Sequence, residues 1–183
     1  MSYFDGEQGR TQAETMEIAV ALICQLPMQQ ENYLRIKKQV DQIIHRHEIL
    51  FTGMVRKLDS LSKTIDRNEM NRQDIIDDLL CRDLTRIFNC LIQNDNVTWG
   101  KIITIFAFST FIARKHNDIA DRIACVTGQY VVKRLTSWIR DHGGWDSMVF
   151  MDCTADTDSL NTLLAFSLTC IGLSLIGLFL VLR

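Results

Sequence analysis

Cysteine, histidine and aspartate are the side chains here with the most chemistry to offer, and their spacing argues against its use. The six cysteines, Cys24, Cys81, Cys90, Cys125, Cys153 and Cys170, are scattered, with no C-x-x-C pair and no histidine at metal-ligand spacing. They read as small apolar residues kept reduced in the cytosol. His45 and His47 form an H-x-H pair, but residues two apart on a helix point to different sides and cannot share a metal ion. Asp77, Asp78, Arg82, Asp83 and Arg86 form a charge run best explained as the solvated face of a helix. No Ser/His/Asp constellation, glycine-rich phosphate loop or paired-carboxylate motif is present. The expectation is a protein that is not an enzyme and holds neither cofactor nor metal. A formal net charge of −2 without a basic stripe gives no reason to expect nucleic acid as a partner.

The elements that would position any site are helices. A length of 183 residues suits one domain with its own core. The single proline, Pro27, leaves long stretches free to be helical, and it closes a mostly apolar segment over residues 13–26. A second segment carries Tyr33, Ile36, Val40, Ile43, His47, Leu50, Met54 and Leu58 in steps of three and four, one face of a helix. Residues 60–72 are polar and read as a loop or a short frayed helix. Ile75, Ile76, Leu79, Leu80, Leu84, Ile87, Phe88, Leu91 and Ile92 then make an amphipathic helix backed by the charge run. Asn94, Asp95 and Asn96 are suited to starting the next helix. That helix, residues 102–113, is apolar nearly all round and belongs in the middle of a bundle. A last long helix begins at Asn117 and ends at Gly143 and Gly144, and residues 145–151 can form a final turn.

From residue 159 to 182 there is no charged side chain. About 20 apolar residues suffice to span a bilayer as a helix, so residues 163–182 are expected to be a C-terminal transmembrane anchor. The division is then a helical bundle over 1–152, a linker over 153–162 and the anchor over 163–182. The fold class is all-α: a bundle around a central hydrophobic helix, followed by a tail helix.

Two motifs are more specific. Val97-Thr98-Trp99-Gly100-Lys101-Ile102-Ile103, running into Phe106-Ala107-Phe108, resembles the first homology motif of the Bcl-2 family, Asn-Trp-Gly-Arg entering the central helix. Trp138-Ile139-Arg140-Asp141-His142-Gly143-Gly144-Trp145-Asp146 is similar to the second, a tryptophan helix end, Gly-Gly, then Trp-Asp. A third stretch resembles the myeloid cell leukaemia (Mcl-type) survival branch: His47-Glu48, Phe51, Gly53-Met54 and Arg56-Lys57-Leu58-Asp59. The long regulatory region of the cellular Mcl-type proteins is absent and the first connection is short, features expected of a streamlined viral mimic.

That resemblance implies a Bcl-2-like bundle that lays the amphipathic helix of a pro-apoptotic partner into a hydrophobic groove, a mode of which this family is a standard instance. The partner helix offers four apolar anchors and one aspartate. Carried over by motif, Leu50, Phe51, Met54 and Leu58 form one wall and Leu84, Ile87, Phe88 and Leu91 the other. Thr104, Ile105 and Phe108 form the floor, with Val149 near the end, and Thr98, Gly100 and Lys101 at the polar rim. Trp99, Trp138, Gly143, Gly144, Trp145 and Asp146 are expected to be structural, Asp146 by favouring a helix N-terminus.

Three departures bear on partner range. Lys101 stands where the family has arginine, and a lysine lacks the bidentate fork for the partner's aspartate. Thr98 replaces asparagine. Ser109 replaces glycine and is expected to tighten the groove floor. The partner set should be narrow. The chain's own ligand-like motif, Ile36, Val40-Asp41 and Ile43, has valine where the pattern needs glycine, so the chain looks better suited to receiving a helix than to donating one.

The role implied is anti-apoptotic, the sequestering of death-promoting helices before the mitochondrial outer membrane is permeabilised. The alternative is a pore-forming effector of the same fold. The bundle should face the cytosol from the mitochondrial outer membrane or the endoplasmic reticulum. An empty groove would be an exposed apolar patch, which a homodimer could cover.

Overall fold

The computed structural model describes residues 3–64, 72–92 and 96–148. Six α-helices follow one another: α1 (Tyr3–Ile23), α2 (Glu31–Arg46), α3 (Glu48–Thr64), α4 (Arg72–Leu91), α5 (Trp99–Lys115) and α6 (Ala120–Asp141). One 3-10 turn, Asn117–Ile119, leads into α6 and another, Trp145–Ser147, follows it. No strand occurs among the described residues.

Helix α5 is the axis of the bundle because it has no polar face to give to water. Every residue from Ile102 to Ala113 is buried, and α1, α2 and α6 pack around it. Its one hydroxyl facing α6, that of Ser109, accepts a hydrogen bond from Thr127 Oγ1 at 2.8 Å. The serine therefore ties two core helices together.

Helices α1 and α6 lie closest where α6 carries Gly128. A Cβ there would stand 2.6 Å from Met16 Sδ and 3.3 Å from Ala19 Cβ, so the missing side chain sets the approach. The link from α1 to α2 is short. Gln25 turns it with φ 56°, and Tyr33 Oη donates to the Leu26 carbonyl at 3.1 Å.

The helix boundaries differ from the sequence reading in four places. Helix α1 begins at Tyr3, ten residues before the apolar periodicity does. The apolar stripe from Tyr33 to Leu58 is two helices, parted at His47 (φ −117°, ψ 23°). Helix α3 runs on to Thr64, into the polar stretch read as a loop or a short frayed helix. The cap of α5 is Thr98 and not one of the residues 94–96. No helix among the described residues is long and apolar enough to cross a membrane. The expected linker, anchor and Val149 lie outside the described residues.

Candidate functional site

The start of α5 is built by local chemistry. Thr98 is extended (φ −137°, ψ 157°), and its Oγ1 accepts from the Lys101 amide at 3.3 Å, satisfying one of the free N–H groups of the first turn. Gly100 leaves its carbonyl to Thr104, whose Oγ1 donates to it at 2.8 Å. Lys101 is half-buried at the helix edge. Its Nζ donates to the Asn96 carbonyl at 2.6 Å, so the ammonium is already engaged at the rim.

Three tryptophans hold this corner. Trp99 sits against Trp138, with centroids 5.2 Å apart, and against Trp145 at 5.5 Å. Trp145 is only 2% exposed. Its Nε1 donates to Thr15 Oγ1 at 3.0 Å, and Thr15 Oγ1 donates in turn to the Thr11 carbonyl at 2.6 Å, so the buried indole N–H is paired. Trp138 stacks on His142 at 3.9 Å. The sharp end of α6 comes from Gly143 (φ 87°) and Gly144 (φ 70°), whose amides donate to the Arg140 and Ile139 carbonyls, each at 2.9 Å. Both left-handed angles suit glycine. Asp146 lies in the first turn of the 3-10 helix Trp145–Ser147. Its carboxylate accepts from Asn32 Nδ2 at 2.7 Å, and the same amide donates to Glu14 at 2.9 Å. The second motif is thus clamped to α1 by Trp145 and to α2 by Asp146.

The expected groove residues on α3, α4 and α5 are buried rather than exposed. Phe51, Met54 and Leu58 on α3, Leu84, Ile87, Phe88 and Leu91 on α4, and Thr104, Ile105 and Phe108 on α5 are all buried, while Leu50 is half-buried. The expected exposed trough is therefore not seen. Walls lined by Phe and Leu gain more by meeting each other than by facing water. Phe51 meets Phe108 with centroids 5.3 Å apart and Phe111 at 5.6 Å. Phe88 meets Tyr130 at 5.1 Å, and Tyr130 Oη donates to Asn89 Oδ1 at 3.0 Å. Phe111, Tyr130 and Asn89 thus belong with these side chains and were missed by the motif reading. Phe111 was visible as part of the all-apolar run, whereas the Tyr130–Asn89 pair joins helices distant in sequence.

The chain's own ligand-like motif faces inward. Ile36, Val40 and Ile43 are buried in the core. Asp41 receives Lys37 Nζ at 2.6 Å and Arg114 Nη2 at 2.8 Å. Burial by itself raises the Asp41 carboxyl, but hydrogen bonds from Lys37 and Arg114 outweigh it and hold the group below its ordinary value.

A central apolar helix, one corner held by three tryptophans and buried, mostly apolar faces of α3, α4 and α5 define an all-helical bundle. The family model of apoptosis regulator proteins, Bcl-2 family, matches residues 36–145, and the chain belongs to that family. It is 35% identical over 60 residues to the apoptosis regulator Bcl-2 of Gallus gallus, 30% of this chain and 26% of that protein. It is 31% identical over 71 residues to the Bcl-2-related ovarian killer protein homolog A of Danio rerio, 36% of this chain and 31% of that protein. The match spans about a quarter of the length of the Bcl-2 relatives. Among solved structures, the zebrafish pro-survival protein NRZ in complex with Bad BH3 superposes with TM-score 0.56 at 18% identity, covering 78% of this chain and 94% of that one. NRZ without ligand superposes with TM-score 0.55, also at 18% identity, covering 76% and 91%. At that identity the likeness is one of fold.

Proposed function

We propose that this chain is a survival protein, which captures amphipathic helices of pro-apoptotic family members between α3, α4 and α5. The observation that carries the reading is Lys101: a half-exposed cation in the first turn of α5, the helix whose buried Ile105 and Phe108 meet the mostly apolar buried side chains of α3 and α4. A ligand helix with four apolar anchors and one aspartate matches that division of chemistry. The NRZ–Bad BH3 complex is a family precedent on the same fold. Capture requires these buried faces to open, so the ligand's affinity includes the work of parting α3 and α4 from α5. The inward-facing Ile36, Val40 and Ile43 and the paired Asp41 favour a receiver over a donor.

The Mcl-type assignment and the streamlined viral form rest on sequence resemblance alone. Tail anchoring by residues 163–182, in the mitochondrial outer membrane or the endoplasmic reticulum, extends the same proposal.

The pore-forming effector is the second reading, favoured by the likeness to the ovarian killer protein homolog. Release of contents from liposomes separates the two. A survival protein blocks release by an activated effector, whereas an effector leaks the liposomes itself once a ligand helix is added.

A further inference from the structure

The outer face of α2 and α3 carries a pattern that helix capture does not use. Leu34, Lys38, His45, Ile49, Gly53 and Arg56 recur at helical spacing, and every one is exposed. Across the break at His47 the His47 amide donates to the Ile43 carbonyl and the Phe51 amide to the His47 carbonyl, each at 3.0 Å. Among the described residues the exposed large apolar side chains are Leu26, Leu34 and Ile49, and two of these lie on this stripe. Ile49 is 91% exposed. Gly53 adds no side chain, and a Cβ there would meet nothing within 4 Å.

The charge of this arm runs against that of the chain. Between residues 34 and 58 six Lys and Arg side chains stand against only Asp41 and Glu48, while the whole chain is net −2. Asp41 is bound by Lys37 and Arg114 and Glu31 by Arg35, so those charges offset one another and the cations on the stripe itself are Lys38 and Arg56.

We infer that this stripe docks on an anionic lipid surface. Leu34 on α2 and Ile49 on α3 lie 15 residues apart in the sequence, with Lys38 between and Arg56 beyond them. A protein partner would find no continuous apolar core there. A bilayer fits, since isolated apolar side chains enter the headgroup boundary while lysine and arginine stay with the phosphates. The stems of those cations can lie along the same boundary. The opposite face of both helices stays in the core through Ile36, Val40, Phe51 and Met54, so docking needs no unfolding. No helix among the described residues is able to cross a membrane, so the contact is with its surface. The inference does not depend on the ligand reading.

The test is co-sedimentation of the full chain with phosphatidylcholine vesicles and with mixed phosphatidylcholine–phosphatidylserine vesicles. The phosphatidylserine vesicles should retain more protein, and high salt should abolish the difference. Ile49→Glu, and separately Lys38→Glu with Arg56→Glu, should weaken the phosphatidylserine-dependent part about tenfold and leave binding to neutral vesicles unchanged. If either loses its helical circular dichroism, Ile49→Ser and Lys38→Gln with Arg56→Gln repeat the comparison with milder changes. Equal retention on both vesicles, or variants that bind like the parent chain, overturns the inference. So does light scattering that shows Ile49→Glu dissolving a dimer, because the stripe would then be a contact between copies.

Discussion

Phe51 on α3 presents its ring edge to Phe108 on α5, with centroids 5.3 Å apart and planes at 64°. This pair joins the wall of the proposed groove to its floor. A ligand helix enters only molecules in which the two rings have parted, so apparent affinity falls with the fraction that is open. On the proposed reading the ligand range should be narrow, because only helices with strong anchors would repay parting the two rings.

Lys101→Arg should tighten binding of a given ligand helix about fivefold, or ~1 kcal/mol, by supplying a fork for the ligand's aspartate. Lysine here is also drawn to the Asn96 carbonyl, a contact the aspartate must displace. Calorimetry with one fixed peptide against both proteins measures the difference. Unchanged affinity would mean that the cation does not face the ligand.

Thr15→Val should destabilise the fold by about 1–3 kcal/mol, because it leaves the buried Trp145 N–H without an acceptor. Urea unfolding gives the number. The double variant Thr15→Val, Trp145→Phe should lose less than the sum of the two single changes, since no orphaned donor remains.

Two glycines should respond in opposite directions. Gly53→Ala meets open space on the exposed face of α3 and should stabilise the chain by about 0.5–1 kcal/mol through helix propensity. Gly128→Val pushes into Met16 and Ala19 and should cost about 1–3 kcal/mol by overpacking. Met16→Ala should relieve part of that loss.

Much of this fold was legible in the sequence because hydrophobic pattern decides it. The unbroken apolar run of α5 could only be a central helix, and residues 102–113 are all buried. The two tryptophan motifs marked the corner that the rings of Trp99, Trp138 and Trp145 now close. What was not legible came from long-range pairing. The beginning of α1 has no apolar period, so nothing local announced Tyr3 as its start. The break at His47 carries neither glycine nor proline, and the stripe on either side keeps its register. Asp146 was legible as a helix-start residue, but its partner Asn32 lies 114 positions away. The expected groove residues are buried, and that burial depends on how α3 and α4 pack, which spacing along one helix does not encode.

Acid should expose the role of Asp41. Its carboxyl titrates below the ordinary 3.8, so its contribution to stability is present above that pH and is lost as pH falls through the folded value. Asp41→Asn should therefore lower the thermal midpoint at neutral pH, and the gap from the parent chain should narrow at about pH 3. An equal gap at both pH values would show that the Lys37 and Arg114 contacts do not persist in solution.

The most direct measurement is titration calorimetry of the folded chain against amphipathic helices taken from several pro-apoptotic family members. At least one should bind one-to-one with a Kd of about 1 μM or tighter, and Lys101→Glu should weaken it. Absence of heat from every peptide, with the helical fold verified by circular dichroism, would contradict the account.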